Sequence, residues 1–455
     1  MHGGNPPLSN PSKAFAYGIL LASCGWYFGF GVGSFNTFFD YFIESAYGVQ
    51  DRNRKIEISG NLNLMFMMGG AVVCLVGSKI YEVFGRHRSL LLTILAEIVI
   101  TFFMMFKSLE ILYICRFAQG FVSCFWSILA PLMIKENLPI SLANKVGPLF
   151  YVFLTGGILL GYCLGSPWAG SNWRAVLAIP LISELPKLAL FSQVYVMESP
   201  DWLVVHNPDA LRANFELLYD SLVSATLTAE AVARKPVIHS GLESAVPTAV
   251  ASRGGLKLRL GLGTFMNLLN QLTCINFLMF YSKGIFEQMK VPSPTGVTIF
   301  MGSLNCLGGV FLIFFLEKIG KRNLIMLGLL GQGVAYIIFL NGLVFKASFL
   351  VVLGPCAYMF SFSISLGGLI YSYVCDIVPA EVVPFCAFCQ WGLACLVVKY
   401  AVILVDKLGA FWVFFFGMVM SFIGALVFIG YAVDTTNKTD AQINKEFEMK
   451  KKKKR

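Results

Sequence analysis

Twelve times along this chain the sequence runs apolar for about 20 residues, the length a helix needs to cross a bilayer. The stretches fall near 14–38, 60–83, 89–106, 111–134, 146–165, 173–197, 260–286, 295–316, 323–345, 347–375, 385–405 and 409–433. This pattern narrows the fold sharply. Inside lipid every backbone N–H and C=O must be satisfied by protein, and a helix does so within its own segment. A hydrophobic content of 57% against 13% charge, with a mean hydropathy of +0.71, lies outside the range of soluble domains. The expectation is an all-α membrane protein of twelve transmembrane helices. The first stretch follows Lys13 but is long and glycine-rich with no small-residue cleavage site after it, so it reads as a retained span.

Basic residues set the orientation. Lys79, Arg86, His87 and Arg88 lie between stretches two and three, Lys318, Lys321 and Arg322 between eight and nine, and Lys450 to Arg455 at the C-terminus. Twelve spans put these on one side together with the N-terminus, and the positive-inside rule makes that side cytoplasmic. Asp376 and Glu381 run against the trend, with no base beside them in sequence. The net charge of +10 owes much to the lysine tail, so nucleic acid is not an expected partner.

A duplication is also legible. Glu82-x-x-Gly85-Arg86 recurs as Glu317-x-x-Gly320-Lys321 after 235 residues, and Glu136-x-x-Pro139 as Asp376-x-x-Pro379 after 240. Each copy follows the corresponding span of its half. The fold class is therefore two pseudo-symmetric six-helix halves in parallel repeat, an arrangement that places a substrate site at the midplane between them. The expected division is 1–197 for the first half, 198–259 for a polar cytoplasmic linker with a helix-like patch from Ala210 to Tyr219, 260–433 for the second half, and 434–455 for a basic tail.

Polar residues inside the spans carry the chemistry. Asn270-Gln271-Leu-Thr273-Cys-Ile-Asn276-Phe-Leu-Met-Phe-Tyr281-Ser282 sets three amides and a hydroxyl in a membrane-length stretch. Lipid offers a carboxamide no partner, so such groups face another helix or a watery cavity. Amides donate and accept, which suits neutral polyhydroxyl ligands. The segment resembles the Gln-Gln-Leu-Ser/Thr-Gly-Ile-Asn…Tyr-Tyr-Ser signature of the seventh helix in sugar porters of the major facilitator superfamily. Gly77 to Arg88 resembles that family's Gly-x-x-x-Asp-Arg-x-Gly-Arg-Arg loop, with Val83 in place of an arginine. Arg116-Phe-Ala-Gln-Gly120 and Pro131 to Pro139 resemble the start and end of its fourth helix. Met197-Glu198-Ser-Pro-Asp201-Trp-Leu203 resembles Pro-Glu-Ser-Pro-Arg-Trp-Leu, Glu317 to Arg322 the motif after helix eight, and Phe388-Cys-Gln-Trp391 the Phe-Ser-Asn-Trp of helix eleven.

The resemblance implies two sets of functional residues. Glu82, Arg86, Arg116, Glu136, Glu198, Glu317, Arg322 and Asp376 would form a charge latch closing the halves on the cytoplasmic side. That latch is thinned, with Asp201, Ala143 and Val383 where arginines are usual. Asn270, Gln271, Asn276 and Asn305 would reach substrate hydroxyls, with Trp391 beside them. Gln271 and Asn276 lie ~140° apart on an ideal helix, so both face one ligand only if the helix breaks or the ligand is wide. Tyr151 stands where the family has a helix-five glutamine. Tyr371 stands at the helix-ten tryptophan, where it would stack on a sugar ring. Gly367, Gly368 and Ile370 replace the Pro-x-Pro before it. The expected ligand is a hexose, a pentose or a polyol.

Coupling is read from an absence. Phe28-Gly-Phe-Gly31-Val-Gly-Ser-Phe-Asn36 resembles a helix-one motif whose fourth place is aspartate in proton-linked members and asparagine in facilitators. Gly31 cannot carry a proton. Two other intramembrane acids remain. Glu184 has Lys187 at i+3 and reads as a paired or interfacial charge. Glu97 has no local partner and is the candidate coupling acid, its role open. Lys399 either snorkels or pairs.

The twelve cysteines lie in or beside apolar stretches, which argues for reduced packing residues. Cys386-x-x-Cys389 lacks further ligands, so no metal or other cofactor is expected. Asn437-Lys-Thr439 is a glycosylation sequon on the cytoplasmic tail, expected unused. No P-loop, dinucleotide fingerprint or nucleophile elbow appears, which excludes the common enzyme and pump classes. The expected function is sugar transport by alternating access, as facilitated diffusion, in the plasma membrane or an internal one. A non-transporting sugar sensor and a proton symporter using Glu97 are the alternatives. The polybasic end is expected to touch anionic lipid or, with Lys452 and Lys453, to resemble a dilysine retrieval signal.

Overall fold

The computed structural model of the protein describes residues 8–243, 256–379, 382–438 and 440–453. Glu381, Thr439, the linker residues 244–255 and the last two tail residues lie outside the described residues, as do the side chains of Tyr281 and Ser282.

Among the described residues, eleven helices are long and apolar enough to cross a membrane: α1 (Pro11–Thr37), α2 (Arg52–Phe84), α3 (Arg86–Met104), α4 (Leu109–Asn137), α5 (Ile140–Cys163), α6 (Trp173–Gln193), α8 (Pro294–Ile319), α9 (Lys321–Phe345), α10 (Ser348–Ile377), α11 (Val383–Leu408) and α12 (Ala410–Tyr431). The twelfth, α7, is built from two pieces, Leu256–Leu272 and Ile275–Gln288. The amide-rich segment lies at their junction. Helices α1 and α10 are also irregular, with a turn at Ser23–Cys24 and a π-helical turn at Ser363–Gly367.

Glycine sets how closely the helices approach. A Cβ on Gly29 would stand 1.8 Å from Leu154 O, and one on Gly120 1.9 Å from Phe66 O. Helices α1 and α5, and α2 and α4, therefore pack backbone against backbone. Lipid tails supply no hydrophobic drive for helix association, so close packing of this kind carries much of it.

The halves meet along three seams: α1 with α7, α2 with α11, and α5 with α8. Under a six-helix repeat the second seam maps onto the third, as a pseudo-two-fold requires. The duplicated glycines adopt the same backbone: Gly85 has φ 85° and ψ 163°, Gly320 φ 84° and ψ 151°. Both sit in the positive-φ region that favours glycine, and each opens the next helix.

Short helices Pro200–His206, Leu211–Glu216 and Ser221–Glu243 follow α6. The tail is not simply solvated. Its helix Asp440–Lys453 buries Ile443 and Phe447, and Arg259 at the start of α7 bonds both Asn444 and the carbonyl of Ile377.

Candidate functional site

The break in α7 follows from local chemistry. Cys274 takes φ 64°, a left-handed conformation uncommon outside glycine. It leaves the carbonyl of Thr273 without a helical partner in a dry interior. Tyr336 of α9 and Tyr358 of α10 both donate to that oxygen, at 2.5 and 2.6 Å. Two phenols thus do what the missing helix turn would do. The kink rotates the second piece of α7 so that Asn276 Nδ2 donates to Gln271 Oε1 at 2.5 Å, while Gln271 Nε2 donates to Asn270 Oδ1 at 2.9 Å. The angular separation of Gln271 and Asn276 on an unbroken helix is removed by the break.

Two further polar groups border the seams. Across the α5–α8 seam, Tyr151 Oη donates to Asn305 Oδ1 at 3.3 Å, and the Nδ2 of this wholly buried asparagine has no partner among the described residues. The phenol also fills space at the π-turn: a Cβ on Gly367 would lie 2.2 Å from Tyr151 Oη. Near α11, Gln390 Nε2 donates to Tyr371 Oη at 3.1 Å, and the buried Gln390 Oε1 finds no donor among the described residues. Trp391 packs against the Phe28 ring at 6.0 Å between centroids and against Gly70 of α2. No bond joins Tyr151 or Tyr371 to the Asn270–Gln271–Asn276 trio among the described residues. A groove of about 410 Å3 between α3 and α4, lined by side chains such as Leu92, Ala96, Phe117 and Phe121, contains none of these amides.

At the end of the bundle bearing the basic loops, the charges form two matching networks, each inside one half. Arg86 bonds Glu136 at 3.2 Å, and Lys321 bonds Asp376 at 2.6 Å. Glu198 accepts from the backbone N–H of Arg86 at 2.7 Å and of His87 at 3.1 Å. In the other half Asp434 accepts from the backbone N–H of Arg322 at 3.3 Å. Each carboxylate caps the helix that the positive-φ glycine opens. Burial pushes the Glu198 carboxyl above the usual carboxylate range, and the backbone donors of Ser199, His87 and Arg86 pull it back.

Several expected latch members lie elsewhere. Glu82 and Glu317 are exposed and make no ion pair among the described residues, and Glu82 takes part only through its carbonyl, which accepts from Trp202 Nε1 at 2.8 Å. Arg322 bonds the carbonyl of Ile429 rather than an acid across the seam. Arg116 is at the wrong end. It lies near the opposite end of α4, wholly buried between the Phe35 and Phe66 rings, and donates to Gly31 O at 2.9 Å, Gln119 Oε1 at 2.6 Å and Asn63 Oδ1 at 3.3 Å. Asp376, unpaired in sequence, has Lys321 from the neighbouring helix. Asp434 and Gln390 were within reach of sequence reasoning, the first 236 residues after Glu198 and the second inside the helix-eleven motif.

Bonds between the halves gather at the other end. Asn36 Nδ2 and Tyr162 Oη both donate to Met279 O, at 2.7 and 3.1 Å. Lys283 Nζ lies 2.9 Å from Asp40 Oδ2, and Lys399 Nζ donates to Asn61 Oδ1 at 2.6 Å. Lys399 is therefore paired across a seam. Glu97, without a partner in its own stretch, accepts from Trp126 Nε1 at 2.6 Å.

Residues 17–447 match the family described as "Sugar (and other) transporter". The chain is 26% identical to "Sugar transporter ERD6-like 6" of Arabidopsis thaliana over 342 residues, covering 71% of this chain and 68% of that protein. It is 25% identical to "Solute carrier family 2, facilitated glucose transporter member 3" of Mus musculus, covering 96% and 93%. Among solved structures it resembles the proton:xylose symporter XylE bound to 6-bromo-6-deoxy-D-glucose, with a TM-score of 0.79 at 18% identity, covering 96% of this chain and 100% of that one. It also resembles the POT family transporter PepTSo, with a TM-score of 0.63 at 14% identity. At these identities the structural likeness speaks for the major facilitator fold alone.

Proposed function

This chain belongs to the sugar transporter family, and from that membership we propose that it carries a hexose or a related sugar or polyol across a membrane by facilitated diffusion. The observation that carries the reading is the broken α7, which turns three amides toward one another beside the seam between halves. In the resting arrangement these amides satisfy each other. A polyol exchanges hydroxyls for those internal bonds one for one, so entry costs little unpaired polarity. Gln271, Asn270 and Asn276 form the first contact group. Asn305 and Gln390 each offer a free amide atom, and Tyr151, Tyr371 and Trp391 supply aromatic walls. Trp391 and Tyr371 stack on the apolar face of the ring.

The basic loops face the cytoplasm by charge asymmetry, with both termini on that side and the plasma membrane as the site of action. Residues 1–197 and 260–433 then rock about the ligand as two bodies, joined by 198–259. The helix-end networks of Arg86 with Glu136 and Lys321 with Asp376 keep each half rigid while the seam opens. The lysine-rich end contributes ~1 kcal/mol per charge toward anionic lipid. Gly31 leaves the Arg116 guanidinium beside a carbonyl instead of an acid, which supports uniport. Uptake of a radiolabelled sugar panel in transporter-null cells tests this. Uptake down a gradient with counterflow, nearly equal at about pH 5 and about pH 8, is expected. No uptake of any sugar by surface-expressed protein would sink it.

A further inference from the structure

Three ionisable side chains lie inside the N-terminal half, apart from the amides of α7. Glu97 of α3 and Glu184 of α6 are 0% exposed and Lys187 of α6 is 4% exposed. Lys187 Nζ lies 2.8 Å from Glu184 Oε1, which also accepts from Ser183 Oγ at 2.7 Å and from Trp26 Nε1 at 3.2 Å. Glu97 Oε1 accepts from the Trp126 indole at 2.6 Å. The two carboxyls are within hydrogen-bond reach of one another. Neither Oε2 finds a conventional donor among the described residues.

An ionised carboxylate accepts hydrogen bonds and donates none, so two of them cannot bond each other without a proton. Charge counting agrees. Two acids beside one cation would leave a net negative charge sealed from water, which low dielectric penalises heavily. Among the described residues, no other group nearby supplies the missing charge. The groups facing the cluster from α1 are Cys24, Tyr27 and Trp26, and from α4 Trp126, all neutral near pH 7. Arg116 of α4 is engaged by Gly31, Gln119 and Asn63.

We infer that Glu97 and Glu184 are a proton-binding pair, in which Glu97 holds one proton and donates it to an ionised Glu184 that Lys187 neutralises. The proton is a fixed component of the half. The cluster ties α3 and α6 to the irregular turn of α1, because Lys187 Nζ also reaches Ser23 O at 3.5 Å and Trp26 follows that turn. Its function is to hold the break in α1 in register, and it takes Glu97 out of sugar coupling. This deepens the facilitator reading without resting on any choice of sugar, since its main readout needs no substrate.

Infrared spectroscopy of the purified full chain, with exchange into D2O, tests it. Wild type should show a protonated-carboxyl C=O band that persists between about pH 5 and about pH 8. Glu97→Gln replaces the acid by a neutral donor of the same shape. It should lose that band, keep its melting temperature, and keep uptake within about twofold. In Glu184→Gln the remaining acid pairs with Lys187, so the band should vanish while the melting temperature falls. A wild-type spectrum at neutral pH without the band overturns the inference, whatever the variants do. So does proton movement with sugar in proteoliposomes that Glu97→Gln abolishes. Failure of all uptake with the band intact would instead sink the transport reading and leave the pair standing.

Discussion

The amide of Gln271 spends both its polar atoms inside the protein, one on Asn270 and one on Asn276. A sugar at the proposed site would therefore compete with neighbours rather than with water, and losing the side chain strips the trio of its shared member. We expect Gln271→Ala to reduce sugar affinity by ~1–3 kcal/mol, one to two decades, at unchanged surface amount. Asn276→Ala should fall in the same range. Thr273→Ala should be milder, because it loses only the 3.2 Å contact of Tyr358 with the hydroxyl, while the carbonyl that both tyrosines hold survives the substitution. Uptake competition with surface biotinylation checks all three. Unchanged affinity in Gln271→Ala would move the site toward Tyr151–Asn305 or Tyr371–Gln390.

Helix ends show why a motif and its geometry must be told apart. Glu317 repeats Glu82 in sequence, yet both are exposed and unpaired among the described residues, while Glu198 and Asp434 do the capping. Glu198→Gln removes a charge from two backbone donors at the start of α3, so we expect a loss of ~1–3 kcal/mol, read as a lower melting temperature in detergent. Glu317→Gln should stay within about 0.5 kcal/mol of wild type. Equal effects would mean that the motif acidic residue has a partner in another state of the protein. The same contrast marks what was legible beforehand. Spans and repeat could be read because hydropathy and positive-φ glycines act on a few neighbouring residues. The angle between Gln271 and Asn276 left a broken α7 or a wide ligand open, and the support of the break by Tyr336 and Tyr358 was not legible, since those residues are 63 and 85 positions from Thr273. Arg116 was placed in the latch by the resemblance of its motif, which does not show that Phe35 and Phe66 close over it.

Across the two halves, the placement of bonds defines which conformation this is. Met279 O, Lys283 and Lys399 tie the halves at the end opposite the basic loops, whereas the charge pairs at the basic end stay within their own halves. If alternating access follows, the ties at the opposite end must break for that side to open. Lys283 offers the most direct test. It is nearly buried, its partner Asp40 is 41% exposed, and the Tyr41 ring lies 4.6 Å from its ammonium. Partial solvent screening limits the pair to about 1 kcal/mol, which is a roughly fivefold shift in a two-state balance. Lys283→Met should therefore raise hydrogen exchange in Phe39–Tyr47 and Ile275–Gln288 by about that factor and leave α9 unchanged. Exchanging the charges, Lys283→Asp with Asp40→Lys, should restore protection. Exchange that rises in α9 as well would point to general loosening of the fold, and exchange that does not rise at all would remove the pair from the gate.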